Sequence, residues 1–452
     1  MSTRFVRLLL PLLLLPLQAV GQSTREAILS DPAKAGGLMY VYDYKAETPL
    51  SPAPKGYKPF YFSHFGRHGA RYVLRMQYDT VAAVLGRGAK AGLLSDRGKQ
   101  LFNDYQKYYS EVRYMEGELS GIGIEQEQTI AKRFYRRYPE IFKGPTRGTA
   151  FSTPSARVVL SMTSFIDGLQ SFDRDLNIEA RNGEAYSVFL RPNFSTLDRR
   201  RPVPTDKLEK SYIPYFMETV DTDGILGRIF TDPSAVVERC HIDVPVFIRH
   251  FAAIYSEHAC IDNPSDIFSD LLTLEDRIAI ARADGFRIFN FLAKFEGSGS
   301  LFPDFAAYSL KDIIEKADAD IASGQMQIRL RFTHDSAVIP LLAFMNINGL
   351  GVSAKTPEEA FEIFPFYKIP MGASLQIVFF RKRSSQDILV KLMLNEEEAV
   401  LPFPAFKGPF YRWSDFKDYY GPMIQETIAR LETLPPRSTL LDRYGLAAET
   451  PM

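Results

Sequence analysis

Two distant segments of the sequence, each a strand running into a short polar turn, constrain the fold most strongly. Residues 57–65 are aromatic-rich and of strand length, and they lead directly into residues 66–71, GRHGAR. Residues 327–332 form a second predicted strand, followed by residues 333–336, THDS, and by an apolar helix from Ala337. Strands that alternate with helices predict an α/β fold, in which functional side chains gather at the carboxyl ends of the strands.

The rest of the predicted core follows the same alternation. Apolar periodicity predicts an interrupted helical region over residues 76–115 and an amphipathic helix over residues 124–142. A short strand is predicted at residues 149–153, and Pro154 suits the first turn of the helix that follows it. Two apolar segments near residues 375–394, separated by a polar turn, predict a hairpin.

The middle of the chain differs from the two flanking parts. Between residues 172 and 324 the strand–helix alternation stops, and Arg199-Arg200-Arg201 lies in a loop-like stretch. A chain of 452 residues is also too long for one compact core. We therefore predict an α/β core formed by residues 22–171 and 325–445, interrupted by a mainly helical cap domain at residues 172–324.

The N-terminus has the pattern of a secretory signal peptide. Arg4 and Arg7 precede an apolar stretch over residues 8–20, and small residues lie just before Gln22. The apolar stretch is too short to span a bilayer, and no later segment is a better candidate. Removal of residues 1–21 would leave an exported protein, periplasmic or secreted, with no transmembrane segment.

The charge balance restricts the possible partners. The chain has 54 Lys and Arg residues against 54 Asp and Glu residues, so no overall positive field favours nucleic acid. An anion-binding site in this chain must therefore be a local concentration of positive charge. The sequence leaves the oligomeric state open.

Motifs for metals and for common nucleophiles are scarce. His241, His250 and His258 are spaced by nine and eight residues, which is no metal-ligand pattern, so we predict that they pack or lie on the surface. The sequence has no HExxH, GxSxG or GxxxxGK[ST] motif. Cys240 and Cys260 either form a disulfide or remain two buried thiols.

The first strand end offers a different chemistry. A neutral imidazole at His68 is a good nucleophile, and the guanidinium groups of Arg67 and Arg71 favour that neutral form by repelling an imidazolium. The same guanidinium groups match phosphate oxygens in bidentate geometry. Gly69 is expected to let backbone and ligand approach closely. At the second strand end, a histidine and an aspartate add a donor and a carboxyl group that can deliver a proton.

These motifs resemble those of a known family. Residues 65–72, FGRHGARY, resemble the RHGxR signature of the histidine acid phosphatases. Residues 152–159, which contain Arg157, are similar to the family segment that supplies a third phosphate-binding arginine. His334 and Asp335 occupy the place of the family's second histidine and its proton donor. The resemblance covers roughly residues 57–170 and 325–400, in family order.

The resemblance implies a fold and a mechanism. The fold is a histidine phosphatase core, similar to phosphoglycerate mutase, with an inserted helical cap. The mechanism is a two-step phosphomonoester hydrolysis without a metal or cofactor, and the partner is a small phosphorylated molecule. In it, His68 is the nucleophile and Asp335 the proton donor. The implied phosphate-binding residues are Arg67, Arg71, Arg157 and His334.

Within the family, the chain is most similar to the multiple inositol polyphosphate phosphatases and phytases. It departs from them in having His334-Asp335-Ser336 where His-Ala-Glu is usual, and Val73 where a proline is usual. We therefore expect phytate hydrolysis, with a broad-specificity histidine acid phosphatase as the alternative. A mutase-type phosphotransfer enzyme conflicts with the signal peptide, and a non-catalytic binding protein would need only the arginines.

Overall fold

The computed structural model of the chain describes residues 23–195, 210–262 and 267–434. The predicted signal peptide at residues 1–21, the arginines at 199–201 and the end of the predicted core after residue 434 lie outside these ranges. Within them, no helix has both the length and the apolar composition that crossing a membrane requires.

A mixed eight-stranded sheet organises the described residues. Its order is β3-β2-β4-β1-β5-β6-β7, with β8 paired to β6, and the strands β1 to β4 are parallel while the later strands pair antiparallel. This confirms the α/β prediction. The strands are β1 Lys58–Arg67, β2 Arg147–Ser152, β3 Asn177–Asn182, β4 Ile328–Thr333, β5 Ser374–Arg381, β6 Ile388–Leu394, β7 Glu397–Glu398 and β8 Phe410–Arg412.

Helices of the described residues cover both faces of the sheet and fill the segment between β3 and β4. They are α1 Thr24–Ser30, α2 Arg75–Lys90, α3 Asp96–Val112, α4 Gly121–Arg137, α5 Ala156–Gln170, α6 Ser187–Leu190, α7 Ile213–Thr219, α8 Thr222–Ile229, α9 Pro233–Cys240, α10 Val244–Glu257, α11 Leu274–Leu292, α12 Phe302–Ser323, α13 Asp335–Met345, α14 Pro357–Ile363 and α15 Trp413–Glu432. Short 3₁₀ segments connect them, including one at Pro32–Met39.

The predicted elements of the core are present with shifted ends. The helical region at 76–115 is two helices, α2 and α3, and the hairpin is β5 paired with β6. The helix α4 begins three residues earlier than predicted, because the Ser120 hydroxyl accepts a hydrogen bond from the Gly123 amide (3.1 Å) and caps it. The placement of Pro154 in the first turn of α5 is wrong, since that helix begins at Ala156.

Each face of the sheet carries its own apolar core. Phe62 points to the face where α4 and α5 pack, while Phe65 and Ile377 point to the opposite face, which packs against α12, α13 and the helices of the cap segment. Helices cover both faces of the sheet, and in parallel α/β sheets the loops present functional side chains beyond the carboxyl ends of the strands. The carboxyl ends of β1, β2 and β4 are therefore where a site can form.

The segment between residues 172 and 324 contributes one strand to the sheet. β3 pairs in parallel with β2 from Arg147↔Asn177 to Ser152↔Asn182, so the sheet includes residues that the sequence analysis assigned to the cap. After β3, the described residues up to β4 form helices and turns with no further strand of the sheet. Cys240 and Cys260, both in this segment, are buried free thiols, which decides between the two alternatives left open by their spacing.

Candidate active site

Three neighbouring parallel strands end side by side and bring the predicted site residues together. β2, β4 and β1 are adjacent, with Arg67 in register with Thr333 and Ser152 in register with Phe332. His68 follows β1, His334 follows β4, and Arg157 lies in the helix that follows β2. The rings of His68 and His334 lie 5.6 Å apart, centre to centre, in edge-to-face orientation. Residues separated by more than 260 positions in sequence thus share one sheet edge.

A contact with the backbone fixes the tautomer of the His68 ring. Its Nδ1 lies 2.9 Å from the Gly69 carbonyl oxygen, and a carbonyl only accepts, so Nδ1 carries the proton and Nε2 carries the lone pair. The residue is buried, with 1% of its surface exposed. Burial lowers the pKa of His68 well below its usual value, and Arg67, Arg71 and Arg157 lower it further. The imidazole is therefore neutral even at acidic pH.

Gly69 has a structural role that differs from the expected one. A Cβ atom placed there would lie 2.7 Å from the Gly123 carbonyl oxygen, at the first turn of α4, so the loop and the helix pack backbone to backbone. The Gly69 amide also donates to the Ser161 hydroxyl (3.0 Å). The glycine at this position thus serves close packing against α4, and this packing fixes the loop that carries His68.

Arg67 is fixed by the fold before any ligand arrives. Its Nη1 donates to the carbonyl oxygens of Leu38 and Ile369, both at 2.8 Å. Its Nη2 forms an ion pair with Asp335 at 2.9 Å, and the guanidinium is almost fully buried. Arg71 donates from Nη1 to the Tyr72 carbonyl oxygen at 2.7 Å. Both side chains are therefore preorganised cations, which is what binding of a phosphoryl group requires.

Arg157 and His334 contact each other in this arrangement. Arg157 Nη2 lies 3.4 Å from His334 Nδ1, and the hydroxyl of Thr153 lies 3.1 Å from His334 Nε2. Burial lowers the pKa of His334 well below its usual value, as do Arg191 and Arg157. The Thr153 hydroxyl can either accept from or donate to His334 Nε2, so both neutral tautomers of His334 are compatible with this contact. If Arg157 turned to a bound phosphate, the proton could lie on His334 Nδ1, and Nδ1 could donate to a phosphate oxygen.

Asp335 is the only carboxyl group among the predicted site residues, and it is ionised. Burial raises its pKa, but Arg67, His334 and Arg71 lower it more, so that the pKa of Asp335 falls to about 2. One carboxylate oxygen is paired with Arg67, and the other accepts from the Ser336 amide (2.6 Å) at the start of α13. To act as a proton donor, this carboxylate must first receive a proton in the substrate complex.

Solved structures share this architecture. No protein-family model and no curated protein matches the sequence. A multiple inositol polyphosphate phosphatase from Bifidobacterium longum, solved with inositol hexasulfate, matches with TM-score 0.67 and 18% identity over 85% of this chain and 96% of that one. A phytase from D. castellii matches with TM-score 0.65 and 16% identity over 93% of this chain and 92% of that one. Both are histidine acid phosphatases.

The chain has the histidine acid phosphatase fold. The similarity expected from the three short motifs is therefore confirmed at the level of the fold. A phytase from Hafnia alvei, solved with myo-inositol hexakis sulphate, matches less closely, with TM-score 0.51 and 11% identity over 83% of this chain and 98% of that one.

In this histidine acid phosphatase fold, a fourth arginine lies beside the three predicted ones, although no motif indicated it. Arg191 follows α6, and its Nε donates to the Ser336 hydroxyl at 3.0 Å, while its guanidinium centre lies 4.3 Å from the ring of Phe194. Arg191 lowers the pKa values of both His334 and Asp335, so it belongs to the same electrostatic site. No sequence pattern marks it, because it lies in the segment without strand–helix alternation.

A buried carboxyl group of α10 supports the loop after Arg71. Glu257 accepts hydrogen bonds from the Val73 amide (2.6 Å) and from the hydroxyl groups of Tyr78 and Tyr108. Burial raises the pKa of Glu257, while these donors and Arg71 oppose the rise. The contact ties α10 to the RHGxR loop of the histidine acid phosphatase fold, and sequence reasoning did not identify it.

The site opens into a cavity between the core and the helices of the cap segment. Its volume is about 400 Å³, and Arg67, Arg71 and Asp335 contribute to its lining. This volume is in the range of small-molecule sites, about 300–1,000 Å³. Among the described residues, no group of three or more His, Cys, Asp or Glu side chains is arranged to hold a metal ion.

Proposed function

We propose that this protein is a phosphomonoesterase that hydrolyses inositol polyphosphates through a phosphohistidine intermediate. The observation that carries the proposal is the geometry of His68. Its Nε2 lone pair is available in the neutral ring, and the surrounding arginines favour that neutral form by lowering the pKa of His68. A binding protein would need the arginines alone. A histidine oriented through its Nδ1 among these cations supports nucleophilic catalysis.

In the first step, Nε2 of His68 attacks phosphorus and the bond from phosphorus to the alkyl oxygen breaks. The departing alkoxide takes a proton from Asp335, and the phosphoryl group stays on His68. In the second step, a water oxygen attacks phosphorus, the phosphorus–nitrogen bond breaks and its electron pair returns to Nε2. The carboxylate of Asp335 accepts a proton of that water and passes it to the departing phosphate, which returns His68 to the neutral ring and Asp335 to the ionised state of the free protein.

The arginines stabilise the charge that develops on the phosphoryl oxygens. Arg67, Arg71 and Arg157 surround His68 closely enough to lower its pKa, so they lie where a transferred phosphoryl group would be held. Burial lowers the pKa of Arg157 to about 10, and Arg71 contributes to this shift, so the side chain remains a cation at working pH. Fixed cations in a buried site are a strong source of transition-state stabilisation.

The substrate class is supported by the ligands of similar structures and tested by competition. Two of the matching enzymes were solved with hexasulfated inositol. Purified protein, with a chelator present, is expected to prefer inositol hexakisphosphate over p-nitrophenyl phosphate at equal concentrations. The preference should shrink as salt rises, because salt screens the additional phosphates. If p-nitrophenyl phosphate is preferred at every ionic strength, the broad-specificity alternative replaces this proposal.

Arg157 tests the phosphate pocket itself. Arg157→Lys keeps the charge but loses the bidentate guanidinium, so we expect kcat/KM to fall about tenfold to a hundredfold, the worth of one or two charged hydrogen bonds. Arg174→Lys is the matched control, since Arg174 is exposed just beyond α5 and should leave kcat/KM unchanged. An Arg157→Lys variant that equals the wild type would assign Arg157 a structural role only.

Export is part of the proposal. Its support is the charged and apolar pattern of residues 1–21, which is typical of a cleaved signal peptide. An exported enzyme would meet phosphorylated compounds outside the cytoplasm, in the periplasm or in the medium. N-terminal sequencing of the protein from the exported fraction should find Gln22 as its first residue.

A further inference from the structure

The cavity beside the candidate active site contains a second pair of arginines. Arg249 on α10 and Arg287 on α11, which we call the cap arginine pair, line the same 400 Å³ space as Arg67, Arg71 and Asp335. Neither residue lies in a motif of the sequence. Their helices pack on the 3₁₀ segment at Pro32–Met39, which also lines the cavity and holds Arg67 through the Leu38 carbonyl.

The cap arginine pair carries an excess positive charge. Both arginines donate from Nε to the same oxygen of Asp284, Arg249 at 2.6 Å and Arg287 at 2.8 Å. Burial raises the pKa of Asp284, but the two arginines lower it well below its usual value, so the carboxylate is ionised. Two cations thus share one anion, which leaves one positive charge facing the cavity.

The cap arginine pair is also held in a fixed position with donors to spare. Arg249 Nη1 donates to the Tyr212 hydroxyl at 3.1 Å, and both guanidinium centres lie over the Tyr212 ring, at 5.3 and 6.0 Å. A guanidinium has five N–H donors, and the described bonds use two of Arg249 and one of Arg287. Both side chains are partly exposed, so a ligand in the cavity reaches the remaining donors.

A third polar group and a lining of small residues complete this part of the cavity. His250 is buried, and its Nδ1 has no hydrogen-bond partner among the described residues although the residue lines the cavity. The walls beside it are built from side chains that leave space, namely Gly36, Gly37, Ala252, Ala253, Ala281 and Gly285. A buried polar atom without a partner, beside fixed cations and open space, indicates a place for a polar ligand.

We propose that Arg249 and Arg287, with His250, form a second anion subsite that binds a phosphate of the substrate remote from the one being hydrolysed. The inference rests on the proposed function, since it assumes that the phosphate being cleaved lies at Arg67 and Arg71. It assigns the substrate class as compact molecules with two or more phosphates. The remote phosphate does not change during the reaction, so this contact affects KM and leaves kcat nearly constant.

The test measures binding separately from turnover. In the inactive His68→Ala background, isothermal titration with inositol hexakisphosphate should show that Arg287→Gln weakens binding at least tenfold, the effect of losing charged hydrogen bonds. The affinity for inorganic phosphate should change much less, because one phosphate occupies only the catalytic position. Arg97→Gln is the matched control, since Arg97 pairs with Asp270 outside the cavity lining.

A double variant separates ligand binding from structural damage. Arg287→Gln leaves Asp284 with one partner fewer, and Asp284→Asn removes that imbalance. If Arg287 binds the ligand, the double variant Asp284→Asn/Arg287→Gln stays weak; if Arg287 only neutralises Asp284, the double variant regains wild-type affinity and the subsite is rejected. An unchanged affinity in Arg287→Gln also rejects it. Failure of the proposed function would appear separately: the wild-type protein, with His68 intact, would hydrolyse neither inositol hexakisphosphate nor p-nitrophenyl phosphate.

Discussion

His68→Ala is expected to lower kcat on the order of 10⁴-fold or more on every phosphomonoester, because it removes the atom that forms the covalent intermediate in the proposed mechanism. The fold should survive, since the His68 side chain contributes one described hydrogen bond, from Nδ1 to the adjacent Gly69 carbonyl oxygen. Circular dichroism and the thermal unfolding midpoint check that the variant remains folded. A folded variant that retains wild-type turnover would reject the phosphohistidine mechanism.

The intermediate itself gives a second measurement. Rapid quench of the wild type with labelled substrate should trap phosphate on the protein that is lost in acid and stable in base, as expected of a phosphorus–nitrogen bond. His241→Asn is the control variant, because His241 is exposed at the end of α9 in a left-handed conformation (φ 49°) that asparagine also adopts. It should label and turn over like the wild type.

Much of this site is predictable because its parts are local in sequence. A strand followed at once by arginine and histidine residues places them at a sheet edge, and a second strand followed by His334 and Asp335 does the same. Parallel neighbours then bring both ends together, as the register Arg67↔Thr333 records. The alternation of strands and helices predicts this arrangement, while the strand order remains open until the sheet is seen.

The residues that sequence reasoning missed act through contacts between distant segments. Arg191 reaches the site through Ser336, 145 positions away, and Glu257 holds the Val73 amide from 184 positions away. Neither lies in a motif, and an arginine or glutamate in a helical segment usually faces solvent. The packing role of Gly69 could not be predicted from the sequence either, since only the folded structure shows that α4 approaches its backbone.

The ionised state of Asp335 raises the question of where the leaving group obtains its proton. With a pKa of about 2, this carboxyl group holds almost no proton at pH 5 in the free protein. A phosphate monoester has a second pKa of about 6, so below that pH it arrives as a monoanion that carries one proton. In the proposed mechanism, phosphoryl oxygens that bind Arg67 weaken its stabilisation of the Asp335 carboxylate, and the substrate's proton then moves to Asp335.

This route predicts both a substrate dependence and a pH dependence for Asp335→Asn. The variant should lose about 10²–10⁴-fold in kcat on an alkyl phosphate such as glycerol phosphate, the usual worth of general acid catalysis. It should retain most activity on p-nitrophenyl phosphate, whose phenolate leaves without a proton. For the wild type, kcat/KM on the alkyl phosphate should be level below about pH 6 and fall about tenfold per pH unit above it, because the dianion brings no proton.

A matched control and a contrary result complete the test of Asp335. Asp270→Asn removes a carboxylate that pairs with Arg97 outside the cavity lining, and it should change neither the substrate ratio nor the pH profile. If Asp335→Asn lowers kcat equally on both substrates, then leaving-group protonation is not its main role, and the ion pair with Arg67 would be its function instead. A wild-type profile that falls from pH 3 onward would show that Asp335 must bind its proton before the substrate arrives, because its free pKa of about 2 would then limit the rate.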